Sequence, residues 1–310
     1  MTISNRIIII TGPTGVGKSS LSVELAKVLD TEIISADSMQ IYKYMDIGTA
    51  KIKEEEMQGV KHHMLDIVYP DQEYSVDDYK KDCYDIINRL NEDNKIPIIT
   101  GGTGLYLDSL IYDLNFNIAP PNEFLRAYYK EIANKYGNEY LHSILEKVDP
   151  TTAKKNHPNQ VKRIIRALEV FDQTSKPFSY FNDYSRKYLN IDFKYIVLNR
   201  DRDEIYELIN ERVEKMIAEG LIEEVKKLLE MGYDKNLNSM KAIGYKECID
   251  YIDGKYNYND MIEKLKQNSR RYAKRQLTWF RREPSRRVIE IEKDDDISKI
   301  LNNCLDIIGD

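Results

Sequence analysis

The sequence has few of the residues that build disulfide frameworks and metal clusters. Its 310 residues include three cysteines, four histidines and one tryptophan. Cys83, Cys248 and Cys304 lie far apart and form no C-x-x-C pair. This spacing argues against a disulfide scaffold and against a cysteine-rich zinc site, so we expect no zinc and a reducing, cytoplasmic location. The histidines lack the spacing of a metal site as well; they are His62, His63, His142 and His157.

Long apolar runs are also missing. No segment is long and apolar enough to cross a membrane. Only Met1–Asn5 precede the first predicted strand, so we expect no signal peptide. The apolar fraction of 42% and the charged fraction of 32% suit a soluble globular protein with one large domain or two domains that share a core. We therefore expect no membrane partner.

The chain carries no net positive charge, since its formal net charge is -6. The stretch from Arg270 to Arg287 is an exception. Its only acidic residue is Glu283, and aromatic residues lie between its basic residues. Its basic residues are Arg270, Arg271, Lys274, Arg275, Arg281, Arg282, Arg286 and Arg287. A local basic patch can bind a phosphate backbone because salt screens the more distant charges. The same pattern suits a solvated helix face whose stems pack on the core, and the stretch alone does not distinguish the two.

A phosphate-binding motif lies near the N-terminus. Gly12, Pro13, Thr14, Gly15, Val16, Gly17, Lys18 and Ser19 fit G-x-x-x-x-G-K-[ST], the P-loop. The apolar run Arg6–Thr11 before it predicts a buried strand, and Ser20–Leu29 after it has helical spacing. A helix N-terminus behind a glycine-rich turn favours anions. Lys18 would contact a phosphate and Ser19 would bind Mg²⁺, although a glycine-rich turn without a ligand is the alternative.

Strands and helices alternate along the rest of the chain. Further strands are predicted at Glu32–Ser35, Lys95–Thr100, Lys194–Leu198 and Arg287–Ile291, with helical patterns such as Val76–Leu90 between them. The fold class is therefore α/β, a P-loop NTPase-like parallel sheet flanked by helices. Ligands of such folds bind beyond the carboxyl ends of the strands. We expect the loops Gly12–Ser19, Asp37–Gln40 and Gly101–Gly104 to open onto one crevice.

A helical insertion interrupts this pattern. Residues 115–192 are rich in Tyr and Lys with little strand signal, so we predict an insertion domain there and a core formed by 1–114 and 193–310. In the core, apolar spacing predicts a long helix over Asp203–Met231 that is eased or broken at Gly220. The basic stretch after Lys264 is also predicted to be helical.

Two loops carry candidate chemistry beside the P-loop. Asp37 could orient Mg²⁺, accept a proton, or only cap a helix, and by itself the cap is favoured. Gly101–Tyr106 is a second glycine-rich turn that offers the Thr103 hydroxyl, or it is an ordinary tight turn. The third strand ends in Thr100-Gly101-Gly102 without the acidic residue that usually holds Mg²⁺ in an ATPase. The crevice is therefore suited to holding a diphosphate while another group reacts at the far end of the crevice.

Six motifs follow one another between Ile7 and about Arg282. They are Gly12–Ser19, Ile34–Tyr42, Met45–Lys51, His62–Asp66, Gly101–Tyr106 and the basic stretch with Lys274–Trp279. In this order they resemble the tRNA dimethylallyltransferases. The strings Asp-Ser-Met-Gln, Asp-Ile-Gly-Thr-Ala-Lys and Lys-Arg-Gln-Leu-Thr-Trp are far more specific than the P-loop. The zinc finger of eukaryotic members is absent, which implies a bacterial type.

The resemblance implies a reaction. The family transfers a dimethylallyl group from dimethylallyl diphosphate to N6 of adenosine 37 in tRNA, so the P-loop and Mg²⁺ would hold the diphosphate. Asp37 matches the general base of the family, Thr103 a residue that places the adenosine, and Arg212 an arginine near the diphosphate, with Lys18 beside it. Without the family, a salt bridge on a Glu-rich helix is the better interpretation of Arg212.

The resemblance also implies a tRNA surface that binds the anticodon stem-loop. The matching positions are Asp37, Ser38, Met39, Gln40, Thr103, Arg126, Gln160, Val161, Lys162, Arg163, Ile164, Arg166, Lys274, Arg275, Arg281 and Arg282. Arg163 and Arg166 lie three apart and would share a helix face. The target base would leave its stack in the single-stranded loop. We expect a monomer.

Three other functions remain open from the residues alone. A prenyltransferase acting on AMP or ATP would share the P-loop and Asp37, but would need neither the insertion nor the basic stretch. A P-loop kinase of a small metabolite is disfavoured by the missing strand-end acid. An RNA-binding GTPase-like switch ranks last, because no N-K-x-D sequence occurs.

Overall fold

The computed structural model describes residues 5–114, 118–181 and 187–309. The predicted start of the insertion at residue 115, and the N-terminal residues 1–4, lie outside the described residues. The strands are β1 (Asn5–Thr11), β2 (Ile33–Ser35), β3 (His62–His63), β4 (Ile98–Gly101), β5 (Ile191–Asn199) and β6 (Arg287–Glu290). All five predicted strands are present, and the prediction missed β3, because two residues show no periodicity.

The strands form one parallel sheet in the order β3-β2-β4-β1-β5-β6. Its centre is β1, in which Ile7, Ile8, Ile9 and Ile10 are at most 1% exposed. A strand buried on both faces needs helices on both sides, which explains its unbroken apolar run. The α/β prediction is confirmed. Strand β5 begins three residues earlier than predicted, because its polar first half still pairs with β1 from Asn5 opposite Ile191.

Fourteen α-helices and one 3₁₀ helix lie within the described residues. The α-helices are α1 (Lys18–Val28), α2 (Glu54–Met57), α3 (Val76–Glu92), α4 (Gly104–Ile111), α5 (Glu123–Tyr136), α6 (Asn138–Val148), α7 (Pro150–Lys155), α8 (Val161–Thr174), α9 (Phe178–Phe181), α10 (Arg202–Ala218), α11 (Leu221–Glu230), α12 (Tyr245–Ile252), α13 (Tyr258–Phe280) and α14 (Ile297–Gly309). The 3₁₀ helix spans Ser239–Lys241. None of the described helices is both long and apolar enough to cross a membrane.

Local sequence signals explain several helix ends. Ser75 begins α3 by accepting the Asp78 N–H, and the Asp78 carboxylate reaches back to the Ser75 N–H. The predicted break at Gly220 is a full one: Gly220 has φ 98° and separates α10 from α11. Only glycine adopts this backbone without strain.

The chain forms two compact units. One comprises Met1–Ile111 and Leu189–Asp310 and contains the sheet, whereas the other is the helical segment Tyr112–Tyr188. The predicted insertion at 115–192 differs from these bounds by three or four residues at each end. The helical unit has its own core, in which Leu141, Leu145 and Ile164 are fully buried. The apolar stripes of its amphipathic helices face one another.

Candidate active site

Three loops meet at the carboxyl edge of the sheet, because the strands that precede them, β1, β2 and β4, are neighbours. They border a cavity of about 390 Å³, whose other walls include residues of α10 and α13 and the segments 48–50 and 241–243. The cavity is lined by Lys18 and Ser19 of the P-loop, by Asp37 and by Gly102. The structure therefore brings the three predicted loops together in one crevice.

The P-loop has the backbone that its glycines allow. Gly12 has φ 151°, and a Cβ atom there would lie 2.5 Å from the carbonyl oxygen of Leu198. Gly17 has φ 98° at the start of α1. The Lys18 ammonium group donates hydrogen bonds to the carbonyl oxygens of Gly12 and Pro13 at 3.1 and 2.9 Å. The cation thus lies inside the loop that would hold a phosphate.

The electrostatics of the P-loop favour an anion. Desolvation, and secondarily the nearby charge of Arg212, lower the pKa of Lys18 to about 7, while Asp37 acts in the opposite direction. Desolvation also lowers the pKa of Arg212, again against the effect of Asp37. Two poorly solvated cations that repel each other would both be stabilised by a diphosphate.

Arg212 does not form the salt bridge that the helix composition alone favours. It projects from α10 to the P-loop and donates to the Thr14 Oγ1 atom at 2.7 Å. Within the described parts of the chain, no carboxylate lies within ion-pair distance of it. The guanidinium group lines the crevice, where it can contact a bound anion.

Asp37 is not a helix cap, because the residues that follow it form a turn. One carboxylate oxygen, Oδ1, accepts the Met39 N–H at 2.9 Å. The carboxylate acts electrostatically on Lys18 and Arg212 and also on Tyr272 of α13, whose pKa is raised by burial and by Asp37. Asp37 therefore lies among the charged groups of the crevice, as a base or a ligand requires.

Thr103 joins the loop after β4 to the loop after β2. Its backbone N–H donates to the Ala36 carbonyl at 3.0 Å, and its Oγ1 atom accepts the Ser38 N–H at 2.9 Å. The same hydroxyl donates to the Ser38 Oγ atom at 3.3 Å. Because Ala36 and Ser38 flank Asp37, these bonds place Thr103 beside it. The two residues that the resemblance assigns to the base and to the placing of the adenosine therefore lie next to each other.

Sequence reasoning missed Gln276 of α13. Its side-chain oxygen accepts the Thr14 N–H at 2.9 Å, and its amide donates to the Gly102 carbonyl at 3.0 Å. Gln276 is 5% exposed between the buried residues Ala273 and Phe280. A polar residue on the apolar stripe of a helix was the signal that could have revealed it.

Sequence reasoning also missed Glu224 of α11. Its carboxylate accepts the backbone N–H groups of Asp46, Ile47 and Gly48 at 2.8 to 3.2 Å. It also accepts the Tyr245 hydroxyl at 2.6 Å. This clamp orders the segment that follows, whose residues Gly48–Ala50 line the cavity.

Two of the predicted tRNA-binding residues after Asp37 form hydrogen bonds within the protein. The Gln40 amide donates to the Thr49 and Ala50 carbonyls at 3.3 and 3.2 Å, and its oxygen accepts the Ser35 hydroxyl at 3.0 Å. Ser38 is bonded to Thr103, and Met39 lines the cavity.

The basic stretch forms the second half of α13 and the turn after it. Lys274, Arg275, Arg281 and Arg282 are all exposed. Arg275 lies 5.5 Å from the Tyr272 ring centroid, and Arg282 lies 5.2 Å from the Trp279 ring centroid. Stacking on aromatic rings preorganises the guanidinium planes for phosphates or bases.

The predicted contacts in the helical unit divide into two groups. Lys162 and Arg163 are exposed at the start of α8, next to Gln160 and Val161. The side chain of Ile164 is fully buried in the core of the unit, which contradicts a side-chain contact with tRNA.

Arg126 and Arg166 both form ion pairs with a buried glutamate. Both bind the fully buried carboxylate of Glu169, at 2.9 and 2.6 Å, and Arg166 also donates to the Ala119 carbonyl at 2.9 Å. Their primary role is to neutralise Glu169, because an unpaired buried charge would be costly. Arg163 and Arg166 do share α8, but only Arg163 is exposed.

The crevice offers few protein ligands to a metal ion. Across residues 5–114, 118–181 and 187–309, no three His, Cys, Asp or Glu side chains are arranged to hold one. Ser19 is exposed and lines the crevice. One hydroxyl oxygen beside a phosphate-binding loop fits Mg²⁺, which retains waters and phosphate oxygens in most of its sites.

Comparisons with known proteins show which family the chain resembles. A protein-family model described as IPP transferase matches residues 40–283. A protein of a Thermoanaerobacter species named tRNA dimethylallyltransferase is 50% identical over 279 residues, 89% of each chain. A Clostridioides difficile protein of the same name is 47% identical over 307 residues, 98% of this chain and 97% of the relative.

Two solved structures are similar as well. The tRNA isopentenylpyrophosphate transferase of Bacillus halodurans has a TM-score of 0.73 and 42% identity, and the match covers 98% of this chain and 96% of that one. A eukaryotic dimethylallyltransferase described as acting on tRNA has a TM-score of 0.82 and 28% identity, and the match covers 99% of this chain and 80% of that one.

Proposed function

The chain belongs to the IPP transferase family and is an enzyme of the tRNA dimethylallyltransferase class, and we propose how its crevice carries out that reaction. A dimethylallyl group passes from dimethylallyl diphosphate to N6 of adenosine 37 in tRNA, and diphosphate leaves. The observation that supports this proposal is the grouping of the P-loop, Asp37 and Gly102 around one cavity, with Thr103 hydrogen-bonded to Ser38 beside Asp37.

Asp37 is the general base of the proposal. The N6 lone pair of adenine is delocalised into the ring, so the amine is a weak nucleophile until its proton is removed. A carboxylate that takes this proton as the C–N bond forms lowers the barrier. Oδ1 of Asp37 is held by the Met39 N–H, which orients the other oxygen. Thr103, fixed to Ser38, positions the base beside it.

The P-loop stabilises the leaving group. Lys18, Arg212 and the N–H groups at the start of α1 converge where the negative charge of diphosphate develops. Ser19 holds Mg²⁺ in this proposal, and the ion, when bound, supplies further charge neutralisation. The lowered pKa of Lys18 reflects its burial first and the nearby positive charge of Arg212 second.

The isoprenoid carbon lies against the apolar wall. Val213 and Met216 of α10 and Leu265 of α13 line the cavity and are nearly buried. Such a wall excludes water, which would otherwise compete with adenine for the allylic carbon.

The tRNA contacts of this proposal are made by exposed basic residues. The exposed residues Lys274, Arg275, Arg281 and Arg282 meet the phosphate backbone, and Lys162 and Arg163 of the helical unit add further contacts. The target adenine reaches the crevice by leaving the stack of the anticodon loop. The protein acts as a monomer, which light scattering of the complex would check.

One incubation tests the proposal against its rivals. The protein is mixed with Mg²⁺, labelled dimethylallyl diphosphate and either unmodified tRNA or AMP. Label in tRNA at adenosine 37 is the expected result. Label in AMP instead would establish the adenylate prenyltransferase. No transfer of label to either acceptor, together with ATP hydrolysis in a parallel incubation that contains ATP, would support the kinase.

A further inference from the structure

Gln276 connects two loops that are far apart in sequence. The Oε1 atom accepts the backbone N–H of Thr14 at 2.9 Å, and the Nε2 group donates to the Gly102 carbonyl at 3.0 Å. Thr14 belongs to the P-loop, and Gly102 precedes Thr103 in the second glycine-rich turn. Both ends of one side-chain amide are thus used, one on each loop.

The fit around this amide is close. A Cβ atom on Gly102 would overlap the Nε2 atom of Gln276, so the turn approaches α13 only because Gly102 lacks a side chain. Gln276 is itself 5% exposed, and a buried amide is stable only when its hydrogen bonds are made. The geometry therefore allows little relative movement of the two loops while both bonds persist.

Thr14 is also held from its other side. Its hydroxyl accepts Arg212 at 2.7 Å, while its N–H is bonded to Gln276. The Thr14 N–H is therefore not directed at a phosphate. It serves instead to attach the P-loop to α13, the helix that exposes Lys274 and Arg275 next to Gln276.

We propose that Gln276 is a positioning residue for prenyl transfer. It holds the diphosphate-binding loop and the Thr103 turn in a fixed relative position. It thereby sets the distance between the leaving group and the adenine amine. This inference rests on the proposed function, because it assumes that the two loops hold the two reacting partners. It assigns no contact between Gln276 and either substrate.

Two substitutions separate positioning from simple stability. Gln276→Met keeps the size of the side chain but removes both hydrogen bonds. Gln276→Glu keeps the acceptor for Thr14 but places a carboxylate oxygen against the Gly102 carbonyl. Only the protonated acid can donate there, so the relative activity of this variant should rise as pH falls. Thr278→Ala is the matched control, because Thr278 is exposed and bonds only within α13.

Single-turnover rates and tRNA affinities are measured for all four proteins between pH 5.5 and 8.5. Gln276→Met should slow transfer by about 10²-fold, the effect of a misplacement near 1 Å, and leave the tRNA dissociation constant within about twofold. The ratio of Gln276→Glu to wild type should rise toward acid pH, and Thr278→Ala should match the wild type.

The outcomes are distinguishable. A wild type that transfers no label to tRNA refutes the proposed function. An active wild type whose Gln276 variants match it at every pH overturns the positioning role alone. A Gln276→Met protein that is merely less stable is recognised by urea unfolding under the assay conditions, since its transfer rate then falls only in proportion to its folded fraction, and that result also overturns the inference.

Discussion

The affinity for dimethylallyl diphosphate should depend on pH through the titration of Lys18. The pH range concerned is one in which the diphosphate itself no longer changes its protonation state. Desolvation and Arg212 lower the pKa of Lys18 to about 7. A bound diphosphate raises that pKa again, because it places negative charge beside the ammonium group. The favourable contact is therefore fully present below pH 7 and is lost as pH rises toward the pKa of the complex.

The size of the effect follows from the fraction of Lys18 that is protonated. This fraction falls from about one half at pH 7 to about one hundredth at pH 9, so the affinity should fall about 50-fold over that interval, which is close to tenfold per unit above pH 8. Substitution supplies the controls. Lys18→Arg keeps its charge throughout, because the guanidinium group does not lose its proton in this range. Lys18→Met has no charge at any pH.

The assay is calorimetric titration of dimethylallyl diphosphate into the protein at constant free Mg²⁺ between pH 7 and pH 9. The wild type should weaken with pH, Lys18→Arg should stay nearly level, and Lys18→Met should bind weakly with a level profile. Equal slopes for the wild type and Lys18→Arg would refute the reasoning, because some other group would then carry the titration.

Three further changes test other parts of the site. Asp37→Asn should lower turnover about 10²- to 10⁴-fold with little loss of tRNA affinity, since it can still accept the Met39 N–H; unchanged turnover would exclude Asp37 as the base. Arg281→Ala with Arg282→Ala should reduce the slope of log affinity for tRNA against log salt by about 1.4 to 1.8, whereas identical slopes would place these residues away from phosphates. Glu224→Ala should lower the free energy of unfolding in urea by about 1–3 kcal/mol, because three N–H groups lose their acceptor; an equal loss in the exposed neighbour Glu223→Ala would show that the clamp is not responsible.

Local patterns in the sequence were sufficient to predict the α/β architecture. An unbroken apolar run such as Ile7–Ile10 indicates a strand buried on both faces, and the glycine-rich turn after it indicates an anion site. The meeting of three loops at one edge could also be predicted, because parallel strands bring their carboxyl ends to the same side. Each of these signals lies within a few residues of the structure that it specifies. The short strand β3 was missed because two residues carry no such pattern.

The role of a single side chain was decided only by tertiary structure. Arg166 and Ile164 were predicted to contact tRNA, yet Arg166 pairs with Glu169, and Ile164 is buried. Gln276 bonds to residues 262 and 174 positions away. Hydrogen bonding and desolvation depend on neighbours that the folded chain brings together, so composition cannot assign them. The sequence by itself determined the fold and the anion-binding loop, whereas long-range packing decided which polar groups remain available to a substrate.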